Sequence, residues 1–180
     1  MVARAPAWLR AALVALALVL PAALGAQGLQ PVPALIARVV DTVGLLDPGS
    51  RERIESTLAT LEREKGAQVV FLIVASTGPE DITGYANRVG NTWKVGRHGV
   101  GDGLLLVVAR DDRRVRIEVA KTLEGAIPDL AARAIIDEAV TPAFRRGDYA
   151  GGLQAAADRI SAMIRGEALP APQGGPDRGH

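Results

Sequence analysis

Two runs in this chain leave no face for water. Gln68-Val-Val-Phe-Leu-Ile-Val-Ala75 and Gly103-Leu-Leu-Leu-Val-Val-Ala109 are apolar at nearly every position and rich in branched side chains. Strand side chains alternate between two faces, so an unbroken apolar run reads as a strand covered on both sides. Ser76, Thr77, Gly78 and Pro79 stop the first run. Between the two runs, about Glu80 to Val95, Ile82, Tyr85, Ala86, Val89 and Trp93 recur at helical spacing, although Gly84 and Gly90 weaken the helix. A helical crossover makes the two strands parallel. Asp111-Asp112 then reverses the chain, and Arg113 to Val119 sets Val115, Ile117 and Val119 against Arg114, Arg116 and Glu118. That alternation predicts a third, antiparallel strand with one polar face.

The remaining segments supply cover. Asp47 is placed to cap a helix that has Pro48 at its first position, buries Ile54, Leu58 and Leu61, and stops at Gly66. Before it, Val39 to Leu46 forms an ordered lead-in packed on the domain, or Ala34 to Val40 a short helix. Asp129 is expected to cap a helix carrying Leu130, Ala134, Ile135 and Val140 that ends at Pro142. A last helix runs from about Ala150 to Arg165 with Leu153, Ala156, Ala157, Ile160 and Ile164 inward. The order predicts one α/β fold, a single compact α/β/α sandwich with a small mixed sheet. It also predicts two rims. Asp102, Lys121 and Asp129 fall at one, while Ser76, Thr77, Asp111-Asp112, Asp41 and Asp148 fall at the other.

Arg4 and Arg10, the short apolar run Ala11 to Leu20, and the small residues up to Ala26 read as a cleaved signal peptide over residues 1–26. The run is shorter than the roughly 20 residues of a permanent span. The expectation is a periplasmic or secreted domain over 27–167 with a disordered polar tail over 168–180, and no transmembrane segment after cleavage. The chain has 21 basic and 20 acidic residues, and the leader removes two arginines, so the exported part is nearly neutral. That balance argues against a nucleic-acid partner. With no cysteine there is neither a disulfide nor a thiolate metal site.

Chemistry is thinly signalled. Gly96-Arg-His-Gly-Val-Gly-Asp-Gly103 offers glycine amides for an anion and Asp102 for a hard cation, but equally a tight connection. It is neither a Rossmann fingerprint, since it precedes a strand, nor a phosphate loop, since no Gly-Lys-Ser/Thr follows. Asp41, Asp111, Asp112, Asp129, Asp137 and Asp148 are the other candidate acids. His98 reads as an exposed loop residue. Arg116 is a candidate anion ligand, or the partner of a nearby glutamate. No Gly-x-Ser-x-Gly elbow or histidine relay is present.

Taken in order, Val39-Val-Asp41 with Gly44-Leu-Leu46, Trp93-Lys-Val-Gly96, Gly101-Asp-Gly103 with its strand, Arg113 to Val119, Leu123-Glu-Gly-Ala-Ile-Pro-Asp129 and Phe144-Arg-Arg-Gly-Asp-Tyr149 resemble the TPM domain family over about 39–164. The resemblance implies an α/β/α sandwich, an exported or membrane-associated setting, and carboxylates available to divalent cations. Members have been associated with acid phosphatase activity, photosystem II maintenance and accessory roles at receptors. The family pattern carries over to Asp41, Asp102, Arg116, Asp129 and Asp148. This chain departs from it at Ala120, where glycine is common.

Three functions follow as expectations. The first is a soluble periplasmic domain that binds a divalent cation, calcium before magnesium, through Asp102, Asp129, Asp41 and Asp148, and supports an envelope or membrane protein. The second is a metal-assisted, acid phosphatase-like phosphomonoester hydrolase with Arg116 steadying the phosphate. The third is a metal-free protein-interaction domain. A cation site requires Asp102 beside several other oxygen ligands; an isolated Asp102 favours interaction alone.

Overall fold

The computed structural model describes residues 28–170. The signal peptide assigned to 1–26 and all but the first residues of the tail lie outside the described residues. Val39–Asp41 (β1), Gln68–Val74 (β2), Gly103–Ala109 (β3) and Arg114–Val119 (β4) form one sheet in the order β1-β2-β3-β4. The first three strands are parallel and β4 is antiparallel to β3. The helices are Pro48–Lys65 (α1), Ile82–Trp93 (α2), Asp129–Ile135 (α3), Thr141–Arg145 (α4) and Tyr149–Arg165 (α5).

Because both faces of β2 and β3 are apolar, the helices divide between them. Phe71, Ile73, Leu104, Leu106 and Val108 pack with Ile54, Leu58 and Leu61 of α1 and Leu153, Ala157 and Ile160 of α5. On the opposite face, Val70, Leu72, Leu105 and Val107 meet Ile82, Tyr85, Ala86 and Val89 of α2. The segment before β1 straps that second layer. Val32 and Leu35 pack against it, Tyr85 Oη donates to the Pro31 carbonyl at 3.3 Å, and Trp93 Nε1 donates to the Pro33 carbonyl at 2.8 Å. The predicted α/β/α sandwich is therefore the observed fold. Among the described residues, no helix is long and apolar enough to cross a membrane.

The lead-in is ordered and packed on the domain, with Val39–Asp41 paired to β2 as β1, and the alternative short helix over 34–40 does not form. The Phe71 amide donates to the Arg38 carbonyl at 2.7 Å and the Thr42 amide to the Ile73 carbonyl at 3.0 Å. Glu55 of α1 accepts from the Arg38 and Val39 amides at 3.1 and 2.8 Å, satisfying donors on the outer edge that a strand partner would otherwise take.

Capping matches the sequence at Asp47, whose carboxylate accepts from the Ser50 amide at 2.9 Å, and at Gly66, which closes α1 in the left-handed region. It differs elsewhere. Asp81 caps α2, accepting from the Thr83 and Gly84 amides at 2.8 and 3.0 Å. Pro128, not Asp129, precedes α3, so Asp129 is the first helical residue and makes no cap hydrogen bond. Pro142 does not end the helical stretch. Ile136–Val140 winds as a π-helical turn, and this wider hydrogen-bond spacing lets α4 begin across a residue with no amide hydrogen.

Leu58 is fully buried between α1 and the sheet, so Leu58→Ala is expected to lower the unfolding free energy by about 2–5 kcal/mol in urea titration. A pH dependence follows as well. Hydrogen bonds from Ser50 hold Asp47 below its ordinary pKa, the Gly84 and Thr83 amides do so for Asp81, and the Thr77 amide does so for Asp112. A depressed folded pKa adds stability that is complete above the unfolded value of about 3.9 and is lost as pH falls through the folded value. The thermal midpoint should therefore stay level from about pH 7 to 5 and drop below about pH 4. Asp81→Asn should shrink that drop while changing neutral stability little, since asparagine also caps well.

Candidate functional site

The glycine loop before β3 is a braced turn with its acid inside. Asp102 is fully buried. One of its carboxylate oxygens accepts from the Arg97 amide at 2.7 Å; the other accepts from Arg97 Nε at 2.7 Å and lies 2.6 Å from Nη2. Arg97 Nη2 also donates to the Pro170 carbonyl at 2.9 Å. The Val100 and Gly101 amides fold back onto the Arg97 carbonyl, and the Gln68 side chain accepts from the Gly96 amide at 2.8 Å. Thr122 Oγ1 donates to the Val100 carbonyl. Gly96 has φ 105°, and a side chain at Gly103 would be driven into the Val95 carbonyl. Both positions thus require glycine. Arg97 is the partner that sequence reading missed, although it stands five residues from Asp102 in the same loop.

At the opposite rim the acids also serve the backbone. Asp41 accepts from the Val43 and Leu46 amides at 3.1 and 2.9 Å, shaping the turn into α1. Asp148 accepts from the Gly151 amide at 2.9 Å and caps α5. Asp112 accepts from Ser76 Oγ and the Thr77 amide, both at 2.8 Å, and joins the β3–β4 turn to the loop after β2. Arg110 Nε donates to Asp111 at 2.7 Å. That contact raises the Arg110 pKa above its ordinary value.

The seven residues of β3 separate the two rims, roughly 20 Å at strand rise. Asp102 and Asp129 lie towards one end and Asp41 and Asp148 towards the other. The four acids do not form one constellation. Among the described residues, no three acidic or histidine side chains converge as a metal ion would require. Arg116 Nε pairs with Glu118 at 2.6 Å on the polar face of β4. Beside that face, α2, the glycine loop and β4 enclose a cleft of about 620 Å³ reached by Lys94, His98, Glu118 and Ala120. His98 is exposed.

Comparison with known proteins places this geometry among relatives. The model of the TPM domain matches residues 39–163. The N-terminal domain of a protein from P. gingivalis, solved by solution NMR, is 30% identical, with a TM-score of 0.67 over 72% of this chain and 82% of that one. The N-terminal domain of the cg2496 protein from Corynebacterium glutamicum is 15% identical, with a TM-score of 0.60 over 84% of this chain and 95% of that one. The BA42 protein from the psychrophilic bacterium Bizionia argentinensis is 17% identical, with a TM-score of 0.61 over 70% and 86%. The last two likenesses concern the fold alone. No curated protein matches the chain.

Asp102→Ala would leave the Arg97 guanidinium without its carboxylate, and it is expected to cost about 3 kcal/mol in denaturant titration. Asp102→Asn should cost less, because it keeps the shape and an acceptor for the Arg97 amide.

Proposed function

The chain belongs to the TPM domain family, and from that premise we propose that it is a metal-independent binding domain acting on an envelope or membrane protein outside the cytoplasm. The observation that carries this reading is the state of Asp102. Both the cation-binding and the hydrolytic alternatives need its carboxylate free, yet its oxygens are taken by Arg97 and it has no solvent exposure. A calcium or magnesium ion placed there would stand against a guanidinium, and among the described residues no cluster of three acidic or histidine side chains is there to receive it. Arg116, the phosphate ligand of the hydrolytic alternative, is engaged by Glu118. The exported setting rests on the leader-like N-terminus.

What a binding domain needs instead is surface on a rigid frame. Ile36 is 82% exposed beside β1, within a groove of about 870 Å³ that joins Pro33, Ala37 and Pro48 to the charged Arg51 and Glu52. Exposed apolar surface beside a strand edge suits a protein partner.

Isothermal titration of the leaderless protein with calcium or magnesium at millimolar concentration should give no saturable heat and no shift in thermal midpoint. A photo-crosslinking residue at position 36 in producing cells should yield a discrete adduct with an envelope protein, and one on the far side, at Arg133, should not. Saturable calcium binding that disappears in Asp41→Asn or Asp102→Asn would overturn the metal-independent reading.

A further inference from the structure

The sheet treats its two outer edges differently. At β1 the Glu55 carboxylate takes the Arg38 and Val39 amides, which blunts that edge. β4 lies at the other end of the sheet. It pairs with β3 residue for residue from Arg114 to Val119, without a bulge, and the Ala120 amide donates to the Gly103 carbonyl at 2.9 Å. In an antiparallel ladder alternate residues bond to the same neighbour, so Arg114, Arg116 and Glu118 turn their main-chain groups towards β3. The amides and carbonyls of Val115, Ile117 and Val119 therefore point away from the sheet. Among the described residues no further strand takes them up.

The usual devices against edge pairing are missing from β4. It contains no proline, glycine or lysine, and Val115, Ile117 and Val119 are β-branched residues that favour strands. Its charged side chains lie on the face shared with α2, since Arg114, Arg116 and Glu118 stand opposite Ala109, Val107 and Leu105. They are also of both signs, and Arg116 Nε already lies 2.6 Å from the Glu118 carboxylate.

We infer that β4 is a dimerisation edge, where a second copy of this chain adds its own β4 in the antiparallel sense and joins two four-stranded sheets into one. Charge selects both the partner and the register. With Ile117 opposite Ile117 of the second copy, the outward main-chain groups of Val115, Ile117 and Val119 meet those of Val119, Ile117 and Val115. On the polar face Arg116 then stands directly opposite Glu118 of the second copy, and Glu118 opposite its Arg116. A pairing centred on Arg116 would set arginine against arginine, and one centred on Glu118 would set glutamate against glutamate. Opposite charges directly across a strand pair stabilise it and like charges destabilise it, so the register centred on Ile117 is favoured. The strand is thus its own complement, as a two-fold interface requires. The two β1 edges, with their Ile36 grooves, end at opposite sides of the joined sheet. Pairing at β4 therefore leaves the proposed partner surface uncovered and stands or falls separately from it.

A single strand seam is small beside the roughly 1,600 Å² of a standard interface, so the association is reversible, and sedimentation velocity of the leaderless protein between about 10 μM and 1 mM is the measurement. The sedimentation coefficient should rise with concentration from that of a monomer towards that of a dimer. Arg116→Glu and Glu118→Arg each set like charges opposite one another twice, and each should weaken dimerisation about tenfold or more. Mixed in equal amounts, the two variants should associate again, and so should a chain carrying both substitutions. Recovery on mixing is not expected of a side chain that merely supports the fold. Hydrogen exchange locates the seam: the Val115, Ile117 and Val119 amides should gain protection as concentration rises, while the Arg116 and Glu118 amides, bonded to β3, stay protected throughout. Circular dichroism and thermal midpoint verify that each variant is folded. A protein that stays monomeric to about 1 mM, a dimer unchanged by the folded single variants, or a mixture of the two that fails to associate would overturn the assignment. Protection of the three amides that does not depend on concentration would overturn it too, and would give the edge to a segment of the same chain.

Discussion

The two central strands have no side turned to water. Every residue of β2 from Val69 to Val74 and of β3 from Gly103 to Ala109 is buried, and at about 25 cal/mol per Å² of apolar surface this is the main source of cohesion. Such a pair of strands is stable only between two layers. The crossover helix α2 covers one face while α1 and α5 cover the other, and the strap before β1 fills what a single helix leaves bare. What the sheet leaves uncovered is consequently confined to its rims, the outer edge of β1 and the polar face of β4.

At the rims a different requirement takes over. Turns and helix starts present backbone amides with no partner in the sheet or helix, and each needs an acceptor. Asp41, Asp47, Asp81, Asp112 and Asp148 meet that need. Asp102 goes further, since its burial is matched by the Arg97 guanidinium and amide. Acids that suggest a cation centre in a sequence thereby become supports for loop geometry. Arginine follows a different course at the hairpin, where Arg113 and Arg145 line a cleft without carboxylate partners among the described residues.

Membership of the TPM domain family describes the frame and not the occupant. A fold built around covered strands tolerates wide variation in its loops, and function resides in what those loops present. In this chain they present an exposed isoleucine beside a strand edge and an arginine-lined cleft.

The core was legible from sequence because hydrophobic period is a local signal. The runs ending at Ala75 and Ala109 declared covered strands, Ile54, Leu58 and Leu61 declared a helix face, and Val115 and Ile117 declared a half-polar strand. Asp47 and Gly66 declared the ends of α1 through capping chemistry that operates within a few residues. The separation of the acids into two rims also followed from strand order. Tertiary structure alone decided the rest. Val39–Asp41 is too short to identify itself as a strand and becomes one only beside Phe71–Ile73. Pro142 should stop a helix, but a π turn packed against α5 carries the chain past it. Asp102 looks the same in sequence whether a metal or a guanidinium meets it, and the fold chose Arg97. The arginines of the hairpin and of α4 are more than thirty residues apart in the chain, so their common cleft exists only once the sheet and helices have packed.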